Sequence, residues 1–269
     1  MIVDSVENIR IFPFSLYTLN STLSTIIMDS FSIKTDNLRK SFDKTIALDG
    51  VSIDFSEGLL HGLIGSDGAG KTTLMRLLAG LLKPSAGNIA FYKDGVPLVF
   101  SEARPSLAYM PQQAGLYPDL SVDEHLEFFK ELYRLSPQDY RRRSTELLEI
   151  TRLEKFRKRR AGRLSGGMYK KLGLMCALLR SPSILLLDEP TNGVDPISRR
   201  EFWQLLYRLA GDRALVIVST AYMDEAQRCA RVHLLDSGRL LASGEPREVL
   251  KKTGAANFEE IFIRNGGGR

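Results

Sequence analysis

The sequence is poor in the residues that build disulfide frameworks and metal centres. It contains 2 cysteines and 3 histidines among 269 residues. Cys176 and Cys229 each lie in an apolar, helical context, and neither has a partner at metal-ligand spacing. We therefore expect both cysteines to be reduced and buried. A chain of this length buries about 75% of the surface that it exposes when unfolded, so its fold needs no cross-links.

Long hydrophobic runs are also missing. A membrane-spanning helix needs about 20 consecutive apolar residues, and the best candidate, residues 11–27, is interrupted by Ser, Thr, Asn and Pro. Asp4 and Glu7 precede it, where a secretory signal would carry basic residues. We expect residues 1–30 to be a poorly ordered extension, either a native tail or a product of start-codon choice, and 31–269 to form a single domain.

Charge of one sign is not in large excess. The chain has 37 basic and 32 acidic residues, a net charge of +5. Basic residues concentrate at 141–143 and 155–160, and two interpretations are open for them. They form either a solvated surface, which we favour, or a patch attracted to anionic lipid or nucleic acid. We expect no nucleic-acid partner.

A glycine-rich loop between a predicted strand and a predicted helix is the most specific motif in the chain. Residues 59–80 contain the pattern G-x-x-x-x-G-K-[ST]. Glycines let the backbone curl around a phosphate, N–H groups point inward, and the helix N-terminus adds partial positive charge. The lysine reaches the β- and γ-phosphates, and the following hydroxyl ligates Mg²⁺. The residues predicted to bind ATP are Gly65, Ser66, Asp67, Gly68, Ala69, Gly70, Lys71, Thr72 and Thr73, and Thr72 is also a predicted metal ligand.

A second apolar run, residues 183–190, ends in two carboxylates. The run suits a strand in the centre of a parallel sheet, where both faces are buried. Asp188 is placed to orient Mg²⁺, and Glu189 is placed to polarise the attacking water. The alternative is an acidic cap on the following helix, but the phosphate-binding loop upstream favours the catalytic interpretation.

A helix start between these two motifs is a second potential anion site. Ser165 is a natural N-cap, and Gly166 and Gly167 open a long apolar helix. The exposed N–H groups and the positive end of the helix suit a phosphate. Many helices begin in this way, so the motif is weak alone and gains meaning from its position between the other two.

In this order the motifs resemble those of the nucleotide-binding subunits of ATP-binding cassette (ABC) transporters, from about residue 32 to about 267. The corresponding segments are Walker A at 65–72, the signature at 164–168, Walker B at 184–190 and the D-loop at 192–196. The resemblance implies an α/β fold of the P-loop NTPase type, with a mostly parallel central sheet, an N-terminal antiparallel β region and a helical subdomain at about 113–180. It also implies ATP and Mg²⁺ as bound groups. Two cassettes would pair head-to-tail, so that Ser165, Gly166 and Gly167 face the partner's ATP.

Two further residues take their predicted roles from this resemblance alone. Gln112 occupies the position of the Q-loop glutamine, which touches Mg²⁺ and links the two halves of the domain. We predict that it is a metal ligand and that it forms the catalytic set with Glu189 and Lys71, although a polar residue in such a loop is commonly plain surface. Phe42 occupies the position of the aromatic that stacks on adenine, but an aromatic in an amphipathic strand is often a core residue.

The resemblance breaks at Ala221. ABC cassettes carry a histidine at this position, after the strand that follows the D-loop, where it contacts the γ-phosphate and the attacking water. His61, His125 and His233 lie elsewhere in the sequence and are predicted to be structural. Loss of one polar contact to a transferring phosphoryl group costs about 3–4 kcal/mol, so we expect ATP to bind and to be hydrolysed slowly. Met168, where the signature commonly ends in glutamine, is familiar in exporter cassettes of the ABC-2 type.

The implied function is the ATP-binding subunit of a multidrug or lipid-like exporter. The motifs are most similar to the first cassette of exporter ATPases that carry two cassettes in tandem. The implied partners are a second cassette, identical or different, and ABC-2 type membrane subunits, with the chain cytoplasmic and peripheral on the inner face of the plasma membrane. The alternatives are a nucleotide-gated regulatory cassette with little turnover and a non-transport ABC ATPase. The last would carry a second cassette or a long coiled-coil insertion, and neither occurs in these 269 residues.

The remaining pattern predicts individual elements. Antiparallel strands are expected at 32–60 and 87–95, and helices capped by serine at 121–135 and 136–150. From 184 onward strands and helices alternate, which predicts a parallel sheet covered on both faces. This part includes a helix at 222–230, and residues 257–269 are expected to form a short helix followed by a frayed glycine-rich end. The aromatic residues Phe128, Phe129 and Tyr133 are either core, which we favour, or a docking surface.

Overall fold

The structure is a computed structural model that describes residues 30–56, 58–113, 115–211 and 214–266. The extension predicted before residue 30 and the frayed end predicted after residue 266 lie outside the described residues. No helix in the described ranges is long and apolar enough to cross a bilayer.

A four-stranded antiparallel sheet opens the domain, as the sequence predicts. Its strands are β1 (Phe31–Phe42), β2 (Thr45–Phe55), β4 (Ala86–Lys93) and β5 (Val96–Leu98), in the order β2-β1-β4-β5. Ile33, Thr35 and Leu38 of β1 are buried, whereas Lys34 and Asp36 are exposed. One face of this sheet therefore packs on the core and the other faces solvent.

A six-stranded sheet forms the centre of the domain. It contains β3 (Leu60–Ile64), β6 (Leu107–Met110), β7 (Ile184–Asp188), β8 (Leu215–Thr220), β9 (Arg231–Asp236) and β10 (Arg239–Gly244), in the order β10-β9-β3-β8-β7-β6. Each pair of neighbours is parallel except β9 and β10. The central sheet is therefore mostly parallel, as predicted. Its antiparallel strand β10 follows from Ser237 and Gly238, which both have positive φ and form a two-residue hairpin turn.

Eight α-helices are described. They are α1 (Lys71–Leu78), α2 (Phe100–Ala103), α3 (Val122–Tyr133), α4 (Pro137–Thr151), α5 (Gly166–Leu178), α6 (Pro196–Gly211), α7 (Pro246–Thr253) and α8 (Phe258–Gly266). Ser121 and Ser136 cap α3 and α4, as predicted. The predicted helix at 222–230 is wrong in type, since Met223–Arg228 forms a 3₁₀ helix. Few residues separate β8 from β9, so this connection has room for only a short element.

Two hydrophobic clusters lie on opposite faces of the central sheet. Alternate residues of β7 serve the two clusters: Ile184 and Leu186 join α1 and the antiparallel sheet, whereas Leu185 and Leu187 join α5 and α6. The sheet is therefore covered on both sides, as the apolar runs predict. Cys176 and Cys229 are free and buried, and burial raises the pKa of both thiols.

The aromatic residues of α3 divide between the two predicted roles. Phe129 and Tyr133 pack against the larger cluster, which confirms the core interpretation for them. Phe128 is exposed and makes an edge contact with exposed Tyr117, with their ring centres 5.5 Å apart. Leu132, one turn further along α3, is also exposed. Tyr117, Phe128 and Leu132 form an apolar surface on the helical part of the chain, which we call the aromatic surface.

Candidate nucleotide-binding site

Three neighbouring strands bring the predicted site residues to one edge of the central sheet. In the parallel register Ile64 of β3 lies opposite Thr220 of β8, and Asp188 of β7 lies opposite Ser219. The phosphate-binding loop follows Ile64 directly. The carboxyl ends of parallel strands are where ligands bind in folds of this kind.

The phosphate-binding loop depends on glycine at both of its ends. Gly70 has a φ of 103° at the start of α1, and a Cβ there would lie 2.6 Å from the carbonyl oxygen of Ala47. A Cβ on Gly65 would overlap the carbonyl oxygen of Leu235. The loop is thus held between β2 and the end of β9, and the tight fit admits no side chain at either position.

The side chain of Lys71 extends into this loop, and the residue is 4% exposed. Its ammonium donates to the carbonyl oxygens of Gly65 at 2.9 Å and Ser66 at 3.0 Å. The same nitrogen lies 3.1 Å from Oε1 of Glu189. Lys71 therefore joins the loop to the predicted catalytic carboxylate.

Asp188 is fully buried and accepts three hydroxyl hydrogen bonds. The donors are Thr72 at 3.1 Å, Ser219 at 2.6 Å and Tyr109 at 3.2 Å. Burial and the charge of Asp188 raise the pKa of Tyr109 to about 12, so the phenol remains a donor at neutral pH. The sequence did not single out Tyr109 or Ser219, whose roles depend on strand neighbours that are distant in sequence.

The predicted Mg²⁺ ligands offer oxygen atoms only. The Thr72 hydroxyl and the Asp188 carboxylate are already in contact, and Gln112 can add an amide oxygen. Hard oxygen ligands of this kind suit Mg²⁺, which usually completes its shell with water and phosphate. Among the described residues, no group of three or more His, Cys, Asp or Glu side chains is arranged to hold a metal on its own.

Glu189 is nearly buried and has a left-handed backbone, with a φ of 46°. Its Oε2 accepts from Nε2 of Gln112 at 2.8 Å and from Nδ2 of Asn192 at 3.1 Å, in addition to the Lys71 contact. A strained backbone at a non-glycine residue is typical of functional sites. The sequence predicted Gln112 near Mg²⁺, whereas the structure pairs its amide nitrogen with Glu189.

Lys170 on α5 is a site neighbour that the sequence did not reveal. Its ammonium donates to the carbonyl oxygen of Gln112 at 2.6 Å and lies 3.5 Å from that of Glu189. Burial lowers the pKa of Lys170. Lys170 therefore joins α5, the helix that begins with the signature, to both the Q-loop and the end of β7. A charged residue on a helix does not by itself predict such a link.

A cavity of about 180 Å³ lies beside Glu189 and includes Ala221, the position at which the family resemblance predicts a histidine. Its lining consists of Asp67, Glu189, Asn192, Thr220, Ala221 and Tyr222. The three histidines lie elsewhere, as predicted. The rings of His61 and His233 are nearly parallel and are joined by a 2.9 Å hydrogen bond between ring nitrogens, and burial lowers their pKa values to about 4 and about 3. His125 accepts from the backbone N–H of Tyr117.

The signature residues form the start of α5 next to the D-loop. Ser165 caps this helix by accepting from the backbone N–H of Met168 at 3.3 Å. Ser165 and Gly166 are exposed, whereas Gly167 is buried, and a Cβ on it would lie 2.5 Å from Cβ of Ser198 in α6. Glycine at 167 therefore lets α5 and α6 approach closely.

Phe42 lies at the end of β1, in the hairpin that precedes the Ala47 contact with the phosphate-binding loop. Its side chain is 43% exposed, and the Lys40 ammonium lies 4.9 Å from its ring centre. This exposure rules out the core alternative. Stacking on adenine remains a prediction.

A strand, a glycine-rich loop and a helix, joined to a buried aspartate and glutamate on a nearby strand, define a P-loop nucleoside triphosphatase. The family model described as ABC transporter matches residues 48–192, which is more than half of the chain. The chain belongs to the ABC transporter family, as an ATP-binding domain with the ABC ATPase fold.

Known relatives agree with this assignment. The chain is 47% identical over 201 residues to the probable multidrug ABC transporter ATP-binding protein YbhF of Escherichia coli K12. The match covers 75% of this chain and 35% of YbhF, so the chain spans about a third of that relative. It is 35% identical over 236 residues to the Nod factor export ATP-binding protein I of Paraburkholderia xenovorans, covering 87% of this chain and 78% of that protein. The dimeric structure of MJ0796, a bacterial ABC transporter cassette, is 28% identical with a TM-score of 0.69, covering 79% of this chain and 98% of that one.

Proposed function

We propose that this chain is the ATP-hydrolysing subunit of an ABC exporter and that its own Walker site hydrolyses ATP slowly. The observation that carries the proposal is the cavity beside Glu189, where Ala221 offers no polar side chain. Export is supported by the similarity to the Nod factor export protein and to YbhF, a probable multidrug transporter protein. The substrate would be set by the membrane subunits.

The phosphate-binding loop and Lys71 would bind the β- and γ-phosphates of ATP. Two of the three ammonium donors of Lys71 are used by the Gly65 and Ser66 carbonyls, and the third faces Glu189. A γ-phosphate oxygen would take over this third donor, which frees Glu189 to accept a proton from the attacking water. Thr72, Asp188 and Gln112 would hold Mg²⁺, which supplies charge neutralisation at the phosphate oxygens when bound.

The missing imidazole weakens only the chemical step. The phosphate-binding loop and Lys71 would hold ATP. Among the described residues, the hydrogen bonds of Lys71 go to Gly65 and Ser66, and none goes to Ala221. The imidazole would contact the γ-phosphate and the water as charge develops in the transition state. Removing one such contact slows a reaction by about 10²–10³ while leaving binding nearly unchanged.

A second cassette would complete the site. Ser165 and Gly166 are exposed at the N-terminus of α5, where free N–H groups suit a phosphate. In a head-to-tail pair they would cover the partner's ATP, and the dimeric structure of MJ0796 supports such pairing. The aromatic surface would dock on ABC-2 type membrane subunits at the cytoplasmic face of the membrane, since it is apolar and exposed.

An Ala221→His variant tests the proposal. Restoring the imidazole should raise kcat by about 10²–10³ while the KM for ATP changes little. Ala221→Leu fills the same cavity without a polar group and serves as the matched control, with no gain expected. If the unmodified chain already hydrolyses ATP as fast as Ala221→His, the impaired site is refuted.

The second candidate is a regulatory cassette that binds ATP with little turnover. It is favoured by the three donors that already occupy Glu189. Glu189→Gln separates the two functions. In an ATPase this change abolishes turnover and makes ATP-bound dimers accumulate. In a regulatory cassette neither the ATP consumption nor the dimer fraction changes.

A further inference from the structure

Glu225 is a buried carboxylate for which hydrolysis gives no role. It lies in the 3₁₀ helix that follows Ala221, and its side chain is fully buried. Its Oε1 accepts from Nε1 of Trp203 at 2.9 Å, and both oxygens accept from the Thr191 hydroxyl, at 3.0 and 3.1 Å. Glu225 therefore joins three elements: the segment after β8, the loop after β7, and α6.

Arg199 adds a second link between the same elements. Its guanidinium carbon lies 4.0 Å from the ring centre of Tyr222, and its Nε lies 3.9 Å from Oε1 of Glu225. That Nε is buried and has no hydrogen-bond partner within the described ranges. Arg199 thus lies between Tyr222 and Glu225 and forms no close hydrogen bond to Glu225 through its Nε. A small movement of any of these three side chains would change the contacts among them.

The links run from the nucleotide cavity to the D-loop. Tyr222 lines the cavity beside Glu189. Arg199 and Trp203 are four residues apart on one face of α6, and this helix begins at Pro196, the last D-loop residue. Tyr222, Arg199 and Glu225 therefore form a chain of contacts between the cavity and the helix that begins at the end of the D-loop.

We propose that Glu225 is a positioning residue that couples nucleotide occupancy at the cavity to the D-loop and α6. The inference rests on the proposed function. It matters more in this chain than in a cassette with a histidine at this position, because the Ala221 side chain has no polar atom and the segment would respond to the γ-phosphate through Tyr222 and its backbone.

The experiment uses Trp203, the only tryptophan in the sequence. Its indole donates to Glu225, so its emission reports the state of this contact. Mg-ATP and Mg-ADP are titrated into the full chain while emission, kcat and KM are measured. The unmodified chain should show an ATP-dependent emission change that ADP does not produce.

Glu225→Gln should retain the KM for ATP within about threefold, lose the ATP-dependent emission change, and lower kcat by roughly tenfold, a typical size for coupling between sites. Asp224→Asn, an exposed neighbour on the same 3₁₀ helix, is the matched control and should behave like the unmodified chain. If Glu225→Gln folds poorly, Arg199→Met removes the cation while leaving the carboxylate its two neutral donors, and the same loss is expected.

Two failures are distinguishable. If the unmodified chain neither binds nor hydrolyses ATP, the proposed function is wrong. If it does both, and a folded Glu225→Gln or Arg199→Met variant keeps the emission change and a kcat within about twofold, only the coupling role is refuted.

Discussion

Lys71 and Glu189 form a buried ion pair in which Nζ and Oε1 are 3.1 Å apart. The two residues come from different elements, since Lys71 begins α1 and Glu189 follows β7. The group that would bind phosphate and the group that would activate water therefore neutralise each other. Removing one partner of a buried pair leaves the other charge without compensation.

The first prediction concerns this pair. Lys71→Met should abolish ATP binding and also lower the free energy of unfolding by about 3–5 kcal/mol, because Glu189 would remain buried without its cation. The double variant Lys71→Met/Glu189→Gln should regain most of that stability without regaining ATP binding. Urea denaturation measures the stabilities. Equal stability of the single and double variants would contradict the prediction.

The second prediction concerns Lys170. Lys170→Gln should loosen the Q-loop, because a charge-assisted hydrogen bond to the Gln112 carbonyl is worth about 1.5 kcal/mol, or roughly tenfold in local opening. Hydrogen exchange at residues 110–113 should accelerate by that factor. Lys171→Gln is the matched control, since Lys171 pairs with Glu201 instead and should leave Q-loop exchange unchanged.

The third prediction concerns the contact between the signature and α6. Gly167→Ala should destabilise the fold by about 1–3 kcal/mol, because its Cβ would overlap Ser198. Adding Ser198→Gly should restore the lost stability by removing the obstructing atoms. Gly115→Ala adds the same methyl group where nothing lies within 4 Å and should have little effect. Thermal unfolding measures all three, and an unperturbed Gly167→Ala protein would show the contact to be wrong.

The fourth prediction concerns acid stability. Burial lowers the pKa of His61 to about 4 and of His233 to about 3, whereas a histidine in the unfolded chain has a pKa of about 6.5. Below about pH 6.5 the unfolded state therefore binds protons that the folded state excludes. Above about pH 6.5 the two histidines do not reduce the free energy of unfolding. Below this pH the free energy of unfolding should fall by about 1.4 kcal/mol per pH unit for each histidine.

Urea denaturation at about pH 7.5, 6 and 5 measures this slope. His233→Asn removes one of the two groups and should reduce the slope by about one histidine's share. If the slope is unchanged in this variant, the acid sensitivity does not come from His61 and His233.

The sequence predicts the fold well where local patterns decide the structure. The strand, loop and helix around Lys71 follow from glycine spacing, and the caps at Ser121 and Ser136 follow from side-chain chemistry. The alternation of strands and helices predicts the mostly parallel sheet, but it does not specify the direction of β10, which a two-residue turn at Ser237 sets.

The contacts around the site were less predictable. Tyr109 reaches Asp188 and Lys170 reaches Glu189 only because the sheet order and the helix packing bring distant segments together. The sequence predicted, from a family pattern, that Ala221 lies beside the nucleotide. It could not show that this alanine leaves a cavity open to Glu189.

That cavity has a consequence for manipulating the protein. A free azole base added to the buffer would occupy the space beside Ala221 and take the place of a histidine side chain. This is chemical rescue by a small molecule. In a partner cassette with a histidine at this position, the residue's own ring would occupy the corresponding space. In a mixed assembly the additive would therefore stimulate this subunit alone, at a moment the experimenter chooses.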